Sequence, residues 1–334
     1  MEKQALLLIG GYGVTGREVA KLLRSRHPDL PLTIAGRNLE KATALADSLG
    51  GARSAAIDLA DGRMGLDQIE ASIVAVFAKD AGLDALSWAH ARAIPYFSIS
   101  SAAFEHGVDA VHALARVNEA PVVLAGHWFA GALTIAVLAL SARFDTIETI
   151  VAGVTIDRNA SGGGAAAIAD FERVARCMKT TLSKVNGTYT WLAEDETLRR
   201  YRAVGGTIVE GKGAVSIDVA SIGARTSARN IHVLETWGQS HLFTLTGTPA
   251  DEISIEVVGT INGEHRFGRQ TLQLSNSVTT LTALCIALTL ERLIGLDGHP
   301  PASPGVYTPD QIMAPEAFLA QLQLAGAEVV TTIE

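Results

Sequence analysis

The sequence predicts an α/β protein in which a Rossmann-type, doubly wound parallel sheet is joined to a second, strand-rich α+β domain. In the first third of the chain, short continuous apolar runs alternate with helical segments, which is typical of a parallel sheet covered on both faces. A glycine-rich loop joins the first run to the first helix. After Arg143 the sequence pattern changes to closely spaced segments typical of strands, which indicates a second domain.

The elements of the first part follow from apolar runs bounded by turn residues. Strands are expected at 5–9, 32–35, 55–59, 73–77, 96–99 and 122–124, and helices at 17–24, 39–49 and 130–142. These elements predict six strands with helices between them.

The second part is expected to be mostly antiparallel. Strands are predicted at 147–156, 189–192, 207–209, 215–220, 231–235 and 242–246, with a helix at 165–178. Asn262-Gly263 lies between apolar runs at 253–261 and 265–274, which indicates a two-residue hairpin. Helices are expected at 277–294, returning to the first domain, and at 315–324. The predicted domains are therefore 1–126 with 277–334 for the dinucleotide, and 127–276 for substrate and dimerisation.

Composition narrows the class of protein. The 334 residues are 48% apolar and carry a formal net charge of −8, with no basic stripe of the kind that nucleic-acid binders have. No apolar run approaches the roughly 20 residues that span a bilayer, and the N-terminus has no secretory pattern. The two cysteines are far apart, and no histidine or cysteine spacing indicates a metal. We expect a cytoplasmic protein without a metal, a membrane span or a nucleic-acid partner.

The loop after the first strand indicates a dinucleotide site. Gly11-Tyr12-Gly13-Val14-Thr15-Gly16 matches G-x-G-x-x-G, and Gly10 adds an overlapping glycine. The first glycine of the motif permits the tight turn, the second lets the backbone approach a pyrophosphate, and the third allows close helix–strand packing. The free N–H groups at the helix N-terminus favour the anion. A purely structural turn is the alternative.

The end of the second strand indicates which dinucleotide is bound. It reads Ala35-Gly36-Arg37-Asn38, where an NAD enzyme usually has an acidic residue for the ribose hydroxyl. Arg37 could pair with a 2′-phosphate instead, so the predicted cofactor is NADP(H). A solvated surface arginine is the alternative. Asp58, expected to close the third strand, either contacts adenine or caps the following helix.

Three strand ends are expected to converge at the switch point of the sheet, where ligands bind. Ala78-Lys79 follows the fourth strand, Ser100 follows the fifth, and His127 lies shortly after the sixth. Ala78 should face the nicotinamide ribose, and Ser100 completes the predicted cofactor contacts. Lys79 or His127 is the candidate acid or base. The alternatives are an exposed ion pair between Lys79 and Asp80, and a structural role for His127.

On the glycine loop (Gly10–Gly16), on Ala35-Gly36-Arg37-Asn38 and on the order of domains, the sequence resembles the saccharopine dehydrogenase-like oxidoreductases. The resemblance implies a Rossmann domain, a mixed second domain that often forms a dimer contact, and pyridine-nucleotide chemistry. Many relatives have a Gly-Pro-aromatic segment after the fourth strand, whereas this chain has 77-FAKDAG-82. We therefore carry over the fold but not the saccharopine reaction.

The expected function is an NADP-dependent oxidoreductase that reduces a C=N or C=O bond of a small polar metabolite. The alternatives are a C=C reductase like the trans-acting enoyl reductases, and a non-catalytic NADP-sensing protein that binds partners through its second domain. A short-chain dehydrogenase is disfavoured, because no tyrosine is followed by lysine four residues later. A homodimer is expected, because isolated antiparallel sheets leave a face or an edge to cover.

Overall fold

The computed structural model describes residues 5–61, 65–99, 103–160, 164–276 and 279–334. The chain forms two compact units. The first consists of the described residues of 1–126, 163–173 and 282–312, and the second of those of 127–162, 174–281 and 313–334. The expected boundaries placed all of 277–334 in the first domain and all of 127–276 in the second. In the compact units, the described residues of 163–173 fall in the first, and those of 277–281 and 313–334 fall in the second.

The first unit contains a seven-stranded sheet in which every pair of neighbours is parallel. Its strands, numbered in chain order, are β1 (Leu6–Ile9), β2 (Leu32–Gly36), β3 (Arg53–Ala56), β4 (Ile73–Val76), β5 (Tyr96–Ser98), β6 (Pro121–Leu124) and β15 (Gly305–Tyr307). The order is β3-β2-β1-β4-β5-β6-β15, so the direction of winding reverses between β1 and β4. This is the doubly wound Rossmann order with one added strand, and it confirms the predicted fold class.

Helices connect these strands, and polar side chains fix where two of them begin. The helices are α1 (Val14–Arg26), α2 (Leu39–Leu49), α3 (Asp84–Ala91), α4 (His106–Leu114), α9 (Leu281–Ile294) and α10 (Pro309–Ile312). Asn38 caps α2 by accepting the N–H of Lys41 at 2.9 Å. The carboxylate of Asp80 accepts the first free N–H groups of α3, from residues 84, 85 and 86.

A buried ion cluster attaches the late helix α9 to α1. Glu291 is almost fully buried and accepts two hydrogen bonds from Arg26, at 2.6 and 2.9 Å. His27 Nε2 lies 2.9 Å from the same carboxylate. The hydrogen bond that Arg26 donates to Glu291 raises the pKa of Arg26 despite partial burial. Because a bidentate arginine–carboxylate pair is geometrically specific, this cluster fixes the position of α9 beside the C-terminus of α1.

One strand of the first unit lies earlier than expected. The third strand was predicted at 55–59, but β3 ends at Ala56, and Leu59–Asp61 forms a 3₁₀ turn. The N–H of Ile57 still bonds to the carbonyl of Gly36, so the apolar run continues past the strand as a buried turn. Asp58 therefore follows β3 instead of closing it.

The second unit contains a nine-stranded mixed sheet. Its strands are β7 (Thr146–Asp157), β8 (Thr180–Val185), β9 (Thr188–Ala193), β10 (Arg199–Arg202), β11 (Ile208–Gly213), β12 (Asn230–Gly238), β13 (Ala250–Ile261), β14 (Glu264–Ser275) and β16 (Glu328–Ile333). The main path is β10-β11-β12-β7-β13-β14-β16, and β8 and β9 extend it from β12. Among the described strands of this sheet, β7 and β12 pair in parallel and the other pairs are antiparallel. The predicted hairpin is confirmed: Asn262 and Gly263 both have positive φ, as a type I′ turn requires.

Two segments predicted as strands are helices. The helices of this part of the chain are α5 (Ala132–Ser141), α6 (Ala165–Cys177), α7 (Asp218–Arg225), α8 (His241–Thr246) and α11 (Pro315–Leu324). The segment 242–246 lies within α8, and 215–220 is half loop and half the start of α7, so those two strand predictions were wrong. In α7 the buried Val219 and Ile222 are three residues apart, on one helical face. Ser240 caps α8 by accepting the N–H of Phe243 at 3.1 Å, a start signal that the strand interpretation overlooked.

Within the described residues, every helix is too short or too polar to cross a bilayer.

The second sheet buries a carboxyl group whose pKa is far from its usual value. Glu252 on β13 is 1% exposed and accepts the N–H groups of Leu242 and His241. Burial, helped by the negative charge of Asp157, raises its pKa to about 7. Because the folded state then holds a proton that the unfolded chain releases near pH 4.5, stability should fall as the pH rises from about 4.5 to 7.

We therefore expect Glu252→Gln to flatten the pH dependence of unfolding. At pH 8 the neutral amide avoids the buried charge and should stabilise the fold by about 1–3 kcal/mol, whereas at pH 4.5 it should bring no gain. Urea unfolding at half-unit steps from pH 4.5 to 8 measures this. Glu256→Gln, on the same strand, is the control. Parallel curves for wild type and Glu252→Gln would show that Glu252 is ionised in the fold.

Candidate functional site

The first unit contains a large cavity at the carboxyl ends of its central strands. Its volume is about 1040 Å³, and all the residues that line it belong to the first unit. Its wall is formed by the glycine loop and the start of α1, the turn after β2 with one face of α2, the turn after β3, the segment after β4, and Ile99 after β5. A helical segment from 164 to 173, at the start of α6, completes it. The cavity is thus at the switch point, where open α/β sheets bind ligands.

Two glycines of the loop are required by the fold itself. A Cβ on Gly11 would lie 2.8 Å from the carbonyl oxygen of Leu8. A Cβ on Gly16 would lie 2.7 Å from the carbonyl oxygen of Gly10 and 2.8 Å from the Cα of Gly11. The left-handed turn is made by Gly10, which has a φ of +79°. Close packing of strand, turn and helix therefore accounts for these three glycines.

Gly13 is different. It precedes α1, lines the cavity, and a Cβ there would meet one atom within 4 Å, the carbonyl oxygen of Gly10 at 3.1 Å. The fold places few constraints on this position, so a side chain would be excluded mainly by something bound in the cavity. Val14 and Thr15 also line the cavity, in the first turn of α1.

Tyr12 organises the turn after β2. A Cβ on Gly36 would lie 2.6 Å from the ring of Tyr12, so the ring occupies the space of any side chain at position 36. The Tyr12 hydroxyl accepts the N–H of Asn38 at 3.0 Å, and Asn38 in turn caps α2. This arrangement places Arg37 and Lys41 on the cavity wall. Lys41 was missed in the sequence, although it lies one helical turn beyond the predicted Arg37.

The lining is strongly cationic. Its charged residues are Arg17, Lys21, Arg37, Lys41, Lys79 and Arg173, against the two carboxylates Asp58 and Asp170. The cavity therefore has an excess of four positive charges in a chain whose net charge is −8. Such a concentration of one sign in a concave site attracts an anionic ligand.

Lys79 belongs to a cluster of charges at the wall. Its ammonium lies 3.1 Å from Oε2 of Glu105, and Arg173 Nη2 lies 3.3 Å from the same oxygen. Arg173 also pairs with Asp170. Burial raises the pKa of Asp170, although its hydrogen bond with Arg173 acts in the opposite direction. The alternative of an exposed ion pair between Lys79 and Asp80 is not found, because the Asp80 carboxylate is buried against the start of α3.

The remaining predicted residues are distributed as follows. Ala78 lines the cavity. Asp58 lines it too, and its carboxylate accepts the N–H of Ala60 at 3.0 Å, so capping is present and contact with a ligand remains open. His127 is buried in the second unit, with Nε2 2.8 Å from the hydroxyl of Ser221. Ser100 lies outside the described residues.

Comparisons with known proteins agree with this architecture. The family model for shikimate / quinate 5-dehydrogenase matches residues 1–93. The comparison with curated proteins gives no match. Among solved structures, saccharopine dehydrogenase (L-Glu forming) from Saccharomyces cerevisiae superposes with a TM-score of 0.71 at 10% identity, covering 98% of this chain and 100% of that chain. The chain therefore has a saccharopine dehydrogenase-like fold, as the resemblance predicted.

Two other dehydrogenases are more distantly similar. Amine dehydrogenase from Mycobacterium smegmatis has a TM-score of 0.49 at 12% identity, covering 94% of this chain and 96% of that one. Myo-inositol dehydrogenase from Corynebacterium glutamicum has a TM-score of 0.49 at 15% identity, covering 98% of each chain.

The glycine geometry generates a stability prediction. Gly16→Ala should destabilise the first unit by about 1–3 kcal/mol, because the new methyl group overlaps backbone atoms that cannot move independently. Gly13→Ala, three residues away, should cost less than about 1 kcal/mol. Thermal unfolding of both variants without ligand measures the difference. An equal loss in the two would mean that Gly13 is also fixed by packing.

Proposed function

We propose that this chain is an NADP(H)-dependent oxidoreductase that reduces a C=N or C=O bond of a small polar metabolite. The observation that carries the proposal is the excess of four positive charges in a cavity formed by a Rossmann glycine loop. At neutral pH the pyrophosphate of a dinucleotide carries two negative charges, and a 2′-phosphate adds about 1.5 to 2 more. Lys21, Lys79 and Arg173 each pair with a neighbouring carboxylate, whereas no described carboxylate pairs with Arg17, Arg37 or Lys41. These three charges exceed the two of a pyrophosphate, which supports NADP(H) over NAD(H).

The residues present fit this cofactor. The sparse surroundings of Gly13 leave room for a pyrophosphate beside the first N–H groups of α1. Arg37 and Lys41 supply two cations for a 2′-phosphate, and no described residue pairs with Arg37. Gly36 offers no carboxylate for a ribose hydroxyl, and the ring of Tyr12 occupies the space beside it. Asn38, Asp58, Ala78 and Ser100 complete the proposed set of contacts.

The chemistry follows from what lies beyond the cofactor loop. When bound, a nicotinamide cofactor supplies a hydride to the substrate. The substrate atom that gains negative charge then needs a proton, and Lys79 is the proposed donor because it lines the cavity directly after Ala78. Its ion pair with Glu105 keeps an ammonium at that position. His127 remains the alternative donor.

A cytoplasmic homodimer is also proposed. Cys177 and Cys285 form no disulfide, which is compatible with a reducing compartment. In the second unit, Tyr189, Trp191 and Trp237 are each more than two-fifths exposed. Large exposed aromatic side chains are characteristic of surfaces that another chain covers.

We expect NADPH to bind about 10- to 100-fold more tightly than NADH, because one charge-assisted phosphate contact contributes about 1.5–3 kcal/mol. Arg37→Gln and Lys41→Gln should each remove most of this preference and leave NADH affinity unchanged. Lys184→Gln, in the second unit, is the matched control. Fluorescence titrations of both cofactors measure the four proteins, and equal affinities in the wild type would refute the cofactor assignment.

The proton donor can be tested once screening of carbonyl and imine compounds for NADPH consumption has found a substrate. Lys79→Met should lower kcat by about 10²- to 10⁴-fold, the usual contribution of general acid catalysis, with NADPH affinity unchanged. His127→Asn should retain kcat. The reverse pattern would make His127 the donor. Full activity in both variants would remove Lys79 and His127 from the mechanism, and a complete absence of turnover would favour the NADP-sensing alternative.

A further inference from the structure

Glu105 stands at the start of α4 but does not cap it. Residues at this position usually accept a free N–H of the helix through their side chain. Glu105 has helical backbone angles, and its carboxylate makes no capping hydrogen bond. The side chain contacts Lys79 and Arg173 instead. Its function therefore lies in the charge cluster and not in the helix terminus.

The two cations share one atom of Glu105. Lys79 Nζ and Arg173 Nη2 are 3.1 and 3.3 Å from the same oxygen, Oε2. The two positive charges are thus separated by no more than two hydrogen-bond lengths, and one carboxylate oxygen offsets their repulsion. All three side chains are at least three-quarters buried, so solvent screens these interactions less than at an exposed pair.

Two further carboxylates lie near Lys79 among the described residues. Asp170 pairs with Arg173 and also interacts electrostatically with Lys79. Asp80 follows Lys79 in the chain, but its carboxylate accepts the N–H groups at the start of α3. Asp170 thus competes with Glu105 for the positive charge of Arg173. Arg173 in turn competes with Lys79 for the negative charge of Glu105.

The cluster also leaves one buried polar atom without a protein partner. Arg173 Nε is buried, and no described residue accepts its hydrogen. Leaving a buried donor unsatisfied is unfavourable, so the ion pairs of Arg173 do not satisfy the whole guanidinium.

We propose that Glu105 is the positioning residue for Lys79, holding its ammonium at the cavity wall, and that Arg173 sets how strongly Glu105 acts on it. The proposal depends on the proposed function only where it treats Lys79 as the proton donor. The coupling itself is a property of the protein without cofactor. Arg173 belongs to the segment 164–173 of the cavity wall, so this segment acts on the position of the Lys79 ammonium through Glu105.

The coupling predicts opposite effects of two substitutions. Glu105→Gln removes the ion pair that holds the Lys79 ammonium and leaves the cationic Arg173 beside it, so the Lys79 nitrogen is more available to react. We expect Lys79 to be acetylated about tenfold faster at pH 8, the effect of one neighbouring charge. Arg173→Met leaves Glu105 to Lys79 alone and should slow its acetylation several-fold.

The experiment is trace acetylation with acetic anhydride from pH 6 to 10, with the Lys79 peptide quantified by mass spectrometry. Lys184 is the internal reference, and Glu172→Gln, which neutralises the exposed neighbour of Arg173, is the control variant. Opposite displacements of the Lys79 profile support the proposal. Local unfolding would accelerate labelling in both variants, and displacement in the same direction, or none, overturns the proposal.

Repeating the labelling with saturating NADPH separates this proposal from the proposed function. Protection of Lys79 by NADPH supports its place beside the cofactor. If NADPH neither binds nor protects, the proposed function fails, while opposite displacements in the cofactor-free protein would still establish the coupling.

Discussion

The close contact between the glycine loop and the start of α1 is the constraint on which the first unit depends. Gly16 can approach the backbone of Gly10 and Gly11 only because it lacks a Cβ. That approach brings the N-terminus of α1 to the carboxyl end of β1, where its free N–H groups lie at the cavity. A side chain at this position would push the helix away from the sheet and open the cavity floor.

The same loop also shapes the neighbouring turn through Tyr12. Because its ring covers Gly36 and its hydroxyl binds the backbone of Asn38, the loop after β1 and the turn after β2 form one packed structure. Arg37 and Lys41 follow from that structure, since both belong to the turn and the helix it begins. In the proposed NADP(H) site, the choice of cofactor would therefore depend on the packing of Tyr12 against Gly36 as well as on the charges of Arg37 and Lys41.

Much of the fold was predictable because it is encoded locally. The glycine loop, the continuous apolar strands and Asn262-Gly263 each specify backbone geometry within a few residues, and the structure has all of them. The short helices α7 and α8 were missed because five or six residues fit a period of 2 as well as a period of 3.6. Strands β15 and β16 were missed because they are edge strands, defined by pairing with β6 and β14, which are distant in sequence.

The candidate site likewise contains residues that local sequence patterns predict and residues that they do not. Residues of the glycine loop and of the turn after β2 could be predicted, since each lies within a motif of fixed spacing. Glu105, Asp170 and Arg173 could not, because no local pattern links them to Lys79 and only the tertiary fold brings them together. Asp80 illustrates the point: it is adjacent to Lys79 in sequence, yet its carboxylate accepts the free N–H groups at the start of α3 and does not pair with Lys79. The charge that acts on a candidate catalytic group is thus set by helices that reach it from distant parts of the chain, while the group itself is placed by the strand that precedes it.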